Sequence, residues 1–161
     1  SMETVYLETT VIRYLVASPS RDLVVAAHQQ ISHDWWQFQR ERFRCVISQV
    51  VIDEIAAGDE LESRKRLELV KSLDLLPASP AAEALVTAIV DAEVLPQKAV
   101  RDAAHIAVAT VHGVHYLLTW NCRHLANAQV ASRVRRVCDR QGFAMPTICT
   151  PEELLGEVND A

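Results

Sequence analysis

The stretch Asp102-Ala103-Ala104-His105-Ile106-Ala107-Val108-Ala109, running on through Gly113 into Val114-His115-Tyr116-Leu117-Leu118-Thr119-Trp120-Asn121, decides the fold. Its first part is apolar nearly all round, the pattern of a helix packed deep inside a domain. Pro96 stands just before that helix, which the pattern extends over 98–112, and Gly113 ends it. An apolar run, 114–119, follows at once and reads as a strand. A buried helix feeding a buried strand is one unit of an α/β fold, and the rest of the chain repeats it. Outward from this unit, strands are expected at 4–7, 44–48, 73–76 and 147–149. Helices are expected at 11–16 (capped by Thr9 or Thr10), 21–42, 49–57, 59–70, 81–92 and 128–141. A last short helix starts from Thr150-Pro151. Alternation of this kind implies an α/β fold, a parallel sheet between helices in three layers.

Nothing in the chain divides it. At 161 residues and 50% hydrophobic composition it is long enough for one domain with one core, taken as residues 2–158. Ser1 before Met2 reads as a cloning scar. The formal net charge of −5 is not that of a general nucleic-acid binder, so a basic stretch or a bound metal must offset it if the substrate is a nucleic acid. Cys45, Cys122, Cys138 and Cys149 have no zinc-site spacing and read as free thiols of a reducing cytosol. No signal peptide and no membrane-spanning run is visible, so the expected location is the cytoplasm, with no membrane partner.

Four oxygen-bearing side chains fall at one edge of that sheet. Glu8 ends the first strand. Glu54 lies six residues past Ser48, about 9 Å into the helix after the second strand. Asp102 begins the helix before the fourth strand, which runs antiparallel to the sheet and so also starts at its carboxyl edge. Asn121 is two residues past the fourth strand. In open α/β sheets that edge is where ligands bind. Each has a plainer reading beside it. Glu8 and Asp102 are also acids suited to a helix N-terminus, Glu54 is also an exposed helix acid, and Asn121 is also a cap. On the helical wheel Val51, Ile52 and Ile55 define the buried face; Glu54 lies at its edge, and Asp53 points away. His105, one turn from Asp102, is a satisfied core histidine bonding Asp102 or a backbone carbonyl, or else a direct participant.

Carboxylates gathered in one pocket repel, and at least one pKa is expected to rise unless a cation relieves them. All-oxygen ligands suit Mg²⁺ or Mn²⁺, ions that activate water and stabilise charge on a phosphate. The spacing by itself points to metal-dependent phosphoester chemistry and stops there.

The pieces YLETTVIRYL from Tyr6, ISQVVIDEI from Ile47, DAAHIAVA from Asp102, LLTWNCRHLANA from Leu117 and TPEELL from Thr150 stand in one order over almost the whole chain. Together they resemble the PIN-domain nucleases, and in particular the VapC-type toxins. The resemblance implies a five-stranded parallel sheet between helices, an acidic pocket binding Mg²⁺ or Mn²⁺, and endoribonuclease cleavage of RNA. It also implies an antitoxin partner and a homodimer. Residue by residue, it puts Glu8, Glu54 and Asp102 at the metal-binding acids and Asn121 where many members place a fourth acid. The chain departs from the common pattern in having Glu at the first position and an amide at the fourth, which leaves less negative charge and one metal. Thr9, Thr10, Thr119 and His105 fall beside the pocket as supporting residues. The segment 21–42 and the helix after Gly58 form a clip-like pair on the rim. Trp35 and Trp36 within it are core residues, or a stacking surface if exposed. Asn127 belongs to the same phrase, without an assigned role.

From Asn121 to Gly142, five arginines face one acid, Asp139, a local charge of +4. Arg123, Arg133, Arg135 and Arg136 are therefore candidate RNA-binding residues, or an ordinary solvated face. Two other functions stay open: a Mg²⁺-dependent small-molecule phosphatase, which the absence of DxD after the first strand disfavours, and a degenerate domain that binds RNA or a partner without cutting.

Overall fold

Val5, Tyr6 and Leu7 are wholly buried, and their short run, Thr4–Leu7, forms the central strand β1 of the computed structural model, which describes residues 1–156. The domain end expected at 158 lies outside those residues. β1 pairs on one side with β2 (Arg44–Ser48), which carries β3 (Asp74–Leu76) beyond it. On the other side it pairs with β4 (Tyr116–Leu118), which carries β5 (Thr147–Cys149). All four pairings are parallel, with Val5 opposite both Cys45 and Tyr116. Strands this short and this apolar are stable only when both faces are covered.

Among the described residues seven α-helices supply the cover: α1 (Thr9–Val16), α2 (Leu23–Phe38), α3 (Gln49–Ala56), α4 (Glu60–Val70), α5 (Pro80–Asp91), α6 (Val100–Val111) and α7 (Ala128–Arg140). The architecture is the expected α/β sheet between helices. As the sequence indicates, α6 is buried along most of its length, from Ala103 through Thr110. It packs against α5 and touches α3.

Several boundaries differ from the sequence reading, each for a local reason. Glu8, not Thr9 or Thr10, caps α1, because its carboxylate accepts the Thr10 N–H. The long helix expected over 21–42 starts after Asp22, whose side chain accepts the Val25 N–H, and stops at Phe38; a separate 3₁₀ turn covers Arg40–Arg42. A 3₁₀ turn, Gln97–Ala99, precedes α6, and the last helix is a 3₁₀ turn, Pro151–Leu154. The fourth strand is trimmed to three residues, although ladder-like bonds continue past it from the Thr119 N–H to Cys149 O. The rim pair is a three-helix group, since α2 and α4 each pack on α1. Within it Trp35 is fully buried. Trp36 is half-buried with the Arg40 guanidinium 4.1 Å above its ring, so neither offers an open stacking face. No helix among the described residues is long and apolar enough to cross a membrane.

Candidate metal centre

The strand order places a switch point at β1 and β4, where connections leave the sheet in opposite directions. The crevice outside such a point is where parallel sheets bind ligands, and Glu8 and Thr119 close it from its two sides. Thr119 donates from Oγ1 to Glu8 Oε1 at 2.6 Å, and Thr10 donates to the same oxygen from Oγ1 at 2.5 Å and from its backbone N–H at 3.2 Å. Both hydroxyls are themselves aimed by backbone donors. The Trp120 N–H bonds Thr10 Oγ1 at 2.8 Å, and the Asn121 N–H bonds Thr119 Oγ1 at 2.9 Å. Glu8 is thus buried and tied entirely through Oε1. No described residue donates to its Oε2.

Glu54 is held in the same manner. Its Oε1 accepts from Thr9 Oγ1 at 2.7 Å and from His105 Nε2 at 2.5 Å, and no described residue donates to Oε2. Helix α3 carries it there, with Ile55 buried one residue on and Asp53 exposed, as the wheel indicates. Two guanidiniums secure the end of α3. Arg13 donates to Glu54 O at 3.0 Å, and buried Arg66 donates to Ile55 O and Ala57 O at 2.9 and 2.8 Å. Burial alone acts to raise the Glu54 pKa. The hydrogen bond from His105, its charge whenever protonated, the Thr9 bond and the nearby Arg101 outweigh burial, so the carboxyl lies below its ordinary value of 4.5.

Asp102 is different. It is half-buried in the first turn of α6, where it caps nothing. Its contacts are long: Asn121 Nδ2 to Oδ1 at 3.4 Å and His124 Nδ1 to Oδ2 at 3.2 Å. Burial raises its pKa above the ordinary 3.8, the negative charge of Glu54 adds to that, and the histidines only partly offset it. The rise at Asp102 comes first from burial, and crowding by Glu54 is its smallest cause.

Among the described residues, Glu8, Glu54 and His105 bring one ligand atom each within 4.8 Å of one another; Asp102 stands outside that group. His105 is fully buried, with Nε2 on Glu54 and Nδ1 on the Tyr6 hydroxyl at 2.7 Å. Both its nitrogens are used, so it serves to hold a carboxylate and leaves the free oxygens of Glu8 and Glu54 as donors. Hard oxygen donors of this kind fit Mg²⁺ or Mn²⁺.

Other expected residues have structural duties. Asn121 Oδ1 accepts the N–H groups of Arg123 and His124, building the turn, while its amide reaches Asp102. Asn127 caps α7 by accepting from Gln129 and Val130. His105 is a satisfied core histidine, but its partners are Tyr6 and Glu54 and neither Asp102 nor a backbone carbonyl, because the ring turns inward towards β1 and α3. Arg123, Arg133, Arg135 and Arg136 are all exposed, and Arg133 and Arg136 line a groove of about 370 Å³ with Gln129 and Ser132. Sequence reasoning missed Tyr6, Ser48 and His124. Tyr6 had a signal, since it lies two residues before Glu8 and strand periodicity puts both on one side.

By sequence, no protein-family model and no curated protein matches the chain. By structure, it is similar to a chain of VapBC2 from Rickettsia felis, solved bound to a DNA fragment from its promoter, at 11% identity and a TM-score of 0.58. That alignment covers 91% of this chain and 98% of the other. It is also similar to a chain of VapBC-1 from nontypeable Haemophilus influenzae, at 12% identity and a TM-score of 0.59, covering 92% and 98%. Agreement over nearly the full length of both, at so little identity, is agreement of architecture: the chain has a PIN-like three-layer α/β fold.

Proposed function

We propose that this chain is a Mg²⁺- or Mn²⁺-dependent endoribonuclease, the toxin half of a toxin–antitoxin pair. The observation that carries this reading is the pair Glu8 and Glu54 at the switch point, each anchored through one oxygen with the other left unclaimed by any described residue. A bound divalent ion supplies an activated water and offsets charge building on a phosphate. The protein's own part is positional. Thr10 and Thr119 fix Glu8, and Thr9 and His105 fix Glu54. Asp102, the least firmly held of the three acids, completes the ligand set. Asn121 orients Asp102 and adds no fourth charge, which favours a single metal. The exposed arginines of the Asn121 loop and α7 steer RNA towards the pocket. An antitoxin, and a second copy in a homodimer, are the partners, and the cytoplasm is the site of action.

The test is an RNA digestion titrated with Mn²⁺, Mg²⁺ and EDTA, beside a panel of small phosphate esters. Ion-dependent RNA cleavage that disappears in Asp102→Asn is expected. Hydrolysis of small esters alone would make the chain a phosphatase. Binding of RNA without cleavage at any ion concentration would make it a non-cutting binding domain.

A further inference from the structure

Behind Glu54 runs a buried line of hydrogen bonds that the proposed chemistry does not use. Ser48 Oγ and the Tyr6 hydroxyl lie 2.7 Å apart, Tyr6 lies 2.7 Å from His105 Nδ1, and His105 Nε2 meets Glu54. Tyr6 and His105 have no exposure at all, and Ser48 has 2%. None of the three groups is open to bulk solvent, so the hydrogens are placed first among the groups of the line itself.

A neutral ring with its hydrogen on Nδ1 would turn the Nε2 lone pair on the Glu54 carboxylate, which is repulsive, so two arrangements remain to be compared. If His105 is cationic, Nδ1–H donates to Tyr6 and Tyr6 donates to Ser48. The hydrogen of Ser48 then has no acceptor among the described residues, because the side chain makes no cap bond to α3 and no other contact. If His105 is neutral with its hydrogen on Nε2, Ser48 donates to Tyr6, Tyr6 donates to Nδ1, and Nε2–H donates to Glu54. All three hydrogens are then used, and the ionised carboxylate receives the donor it needs.

We infer that Tyr6 is a positioning residue: by donating to His105 Nδ1, its hydroxyl holds the ring as the Nε2–H donor that fixes Glu54. The aromatic edge contact between the two rings, with centroids 5.7 Å apart at 69°, sets the distance across which the bond forms. Ser48 is the outer link, and without it Nδ1 remains the acceptor of the Tyr6 hydroxyl among the described residues. The role rests on Glu54 being a site acid and is independent of whether the substrate is RNA.

The experiment is ¹⁵N NMR of the His105 ring in metal-free protein near pH 8, with Mn²⁺ affinity measured separately by counting the free ion by EPR. The parent should show a protonated Nε2 and a hydrogen-bonded, unprotonated Nδ1. Tyr6→Phe keeps the ring and removes only the hydroxyl. Its Nδ1 signal should move towards that of an unbonded imine nitrogen. Mn²⁺ binding should weaken by about 10-fold, the lower end of what loss of an outer partner does to a metal site. Ser48→Ala should keep the parental His105 pattern, with Mn²⁺ affinity changed by no more than about two-fold, well short of that loss. A parent ring that is cationic or protonated on Nδ1 would overturn the assignment. So would a folded Tyr6→Phe protein with parental Mn²⁺ affinity, or, where that variant does not fold, a Ser48→Ala ring that loses the Nε2–H pattern. Failure of RNA cleavage alone would leave all of these outcomes readable.

Discussion

Glu54 and Asp102 are shifted in opposite directions, because their neighbours differ. Glu54 has its carboxyl lowered, so it adds stability above its ordinary pKa of 4.5, and that contribution is lost as pH falls through the lower folded value. Asp102 has its carboxyl raised, so its neutral form is the favoured one, and stability is lost as pH rises from 3.8 through the higher folded value. In metal-free buffer at pH 7, Glu54→Gln should therefore melt below the parent and Asp102→Asn above it. At pH 3 both differences should shrink. Thermal melts in EDTA at the two pH values check this, and shifts of the same sign at pH 7 would refute the division. The positions of both acids are legible in the sequence, since strand ends and helix starts locate them. Their opposite behaviour is not, because it depends on Thr9, His105 and His124, which lie 45, 51 and 22 residues from the acids they serve.

At the scale of elements, α3 matters more than its eight residues suggest. The carbonyls of Ile55 and of the cap residue Ala57 are closed by Arg66 from α4, which is 7% exposed and has no carboxylate partner among the described residues. Charge-assisted hydrogen bonds of this sort are worth about 2 kcal/mol each, and their loss leaves buried carbonyls unpaired. Arg66→Ala should lower the melting temperature by roughly 5 °C or more for a chain of this size. Arg66→Lys should recover only part, lacking the fork that spans two acceptors. An unchanged melting temperature in Arg66→Ala would show that water replaces the guanidinium. Helix α7 offers the complementary case. Val134, Val137 and Cys138 anchor one face, so Arg135 and Arg136 are free to act on a ligand. Replacing both with Ala should weaken RNA binding and flatten its dependence on salt, while leaving Mn²⁺ affinity alone. The element order is legible because apolar period and turn residues are local signals. The cap from Arg66 is not, because a charged residue in a charged helix carries no mark of burial.

For the molecule as a whole, the proposed metal would be linked to folding. Glu8, Glu54 and Asp102 come from three separate elements and approach one another only in the folded state, so Mn²⁺ should raise the melting temperature by mass action. That rise should fade at lower pH, where protons compete for the same oxygens. It should be largely lost in Glu54→Gln, and equal shifts in parent and variant would remove Glu54 from the ligand set. The central position of β1 has one more result. The strand carrying the first acid is made early, yet one of its two edges waits for β4, and Glu8 waits for a hydroxyl made 111 residues later. On the ribosome, a chain with the pocket's first half already synthesised still lacks the Thr119 clasp and the Asn121 turn. The pocket is thereby assembled late relative to its first acid, since its clasp and its turn come from far down the chain.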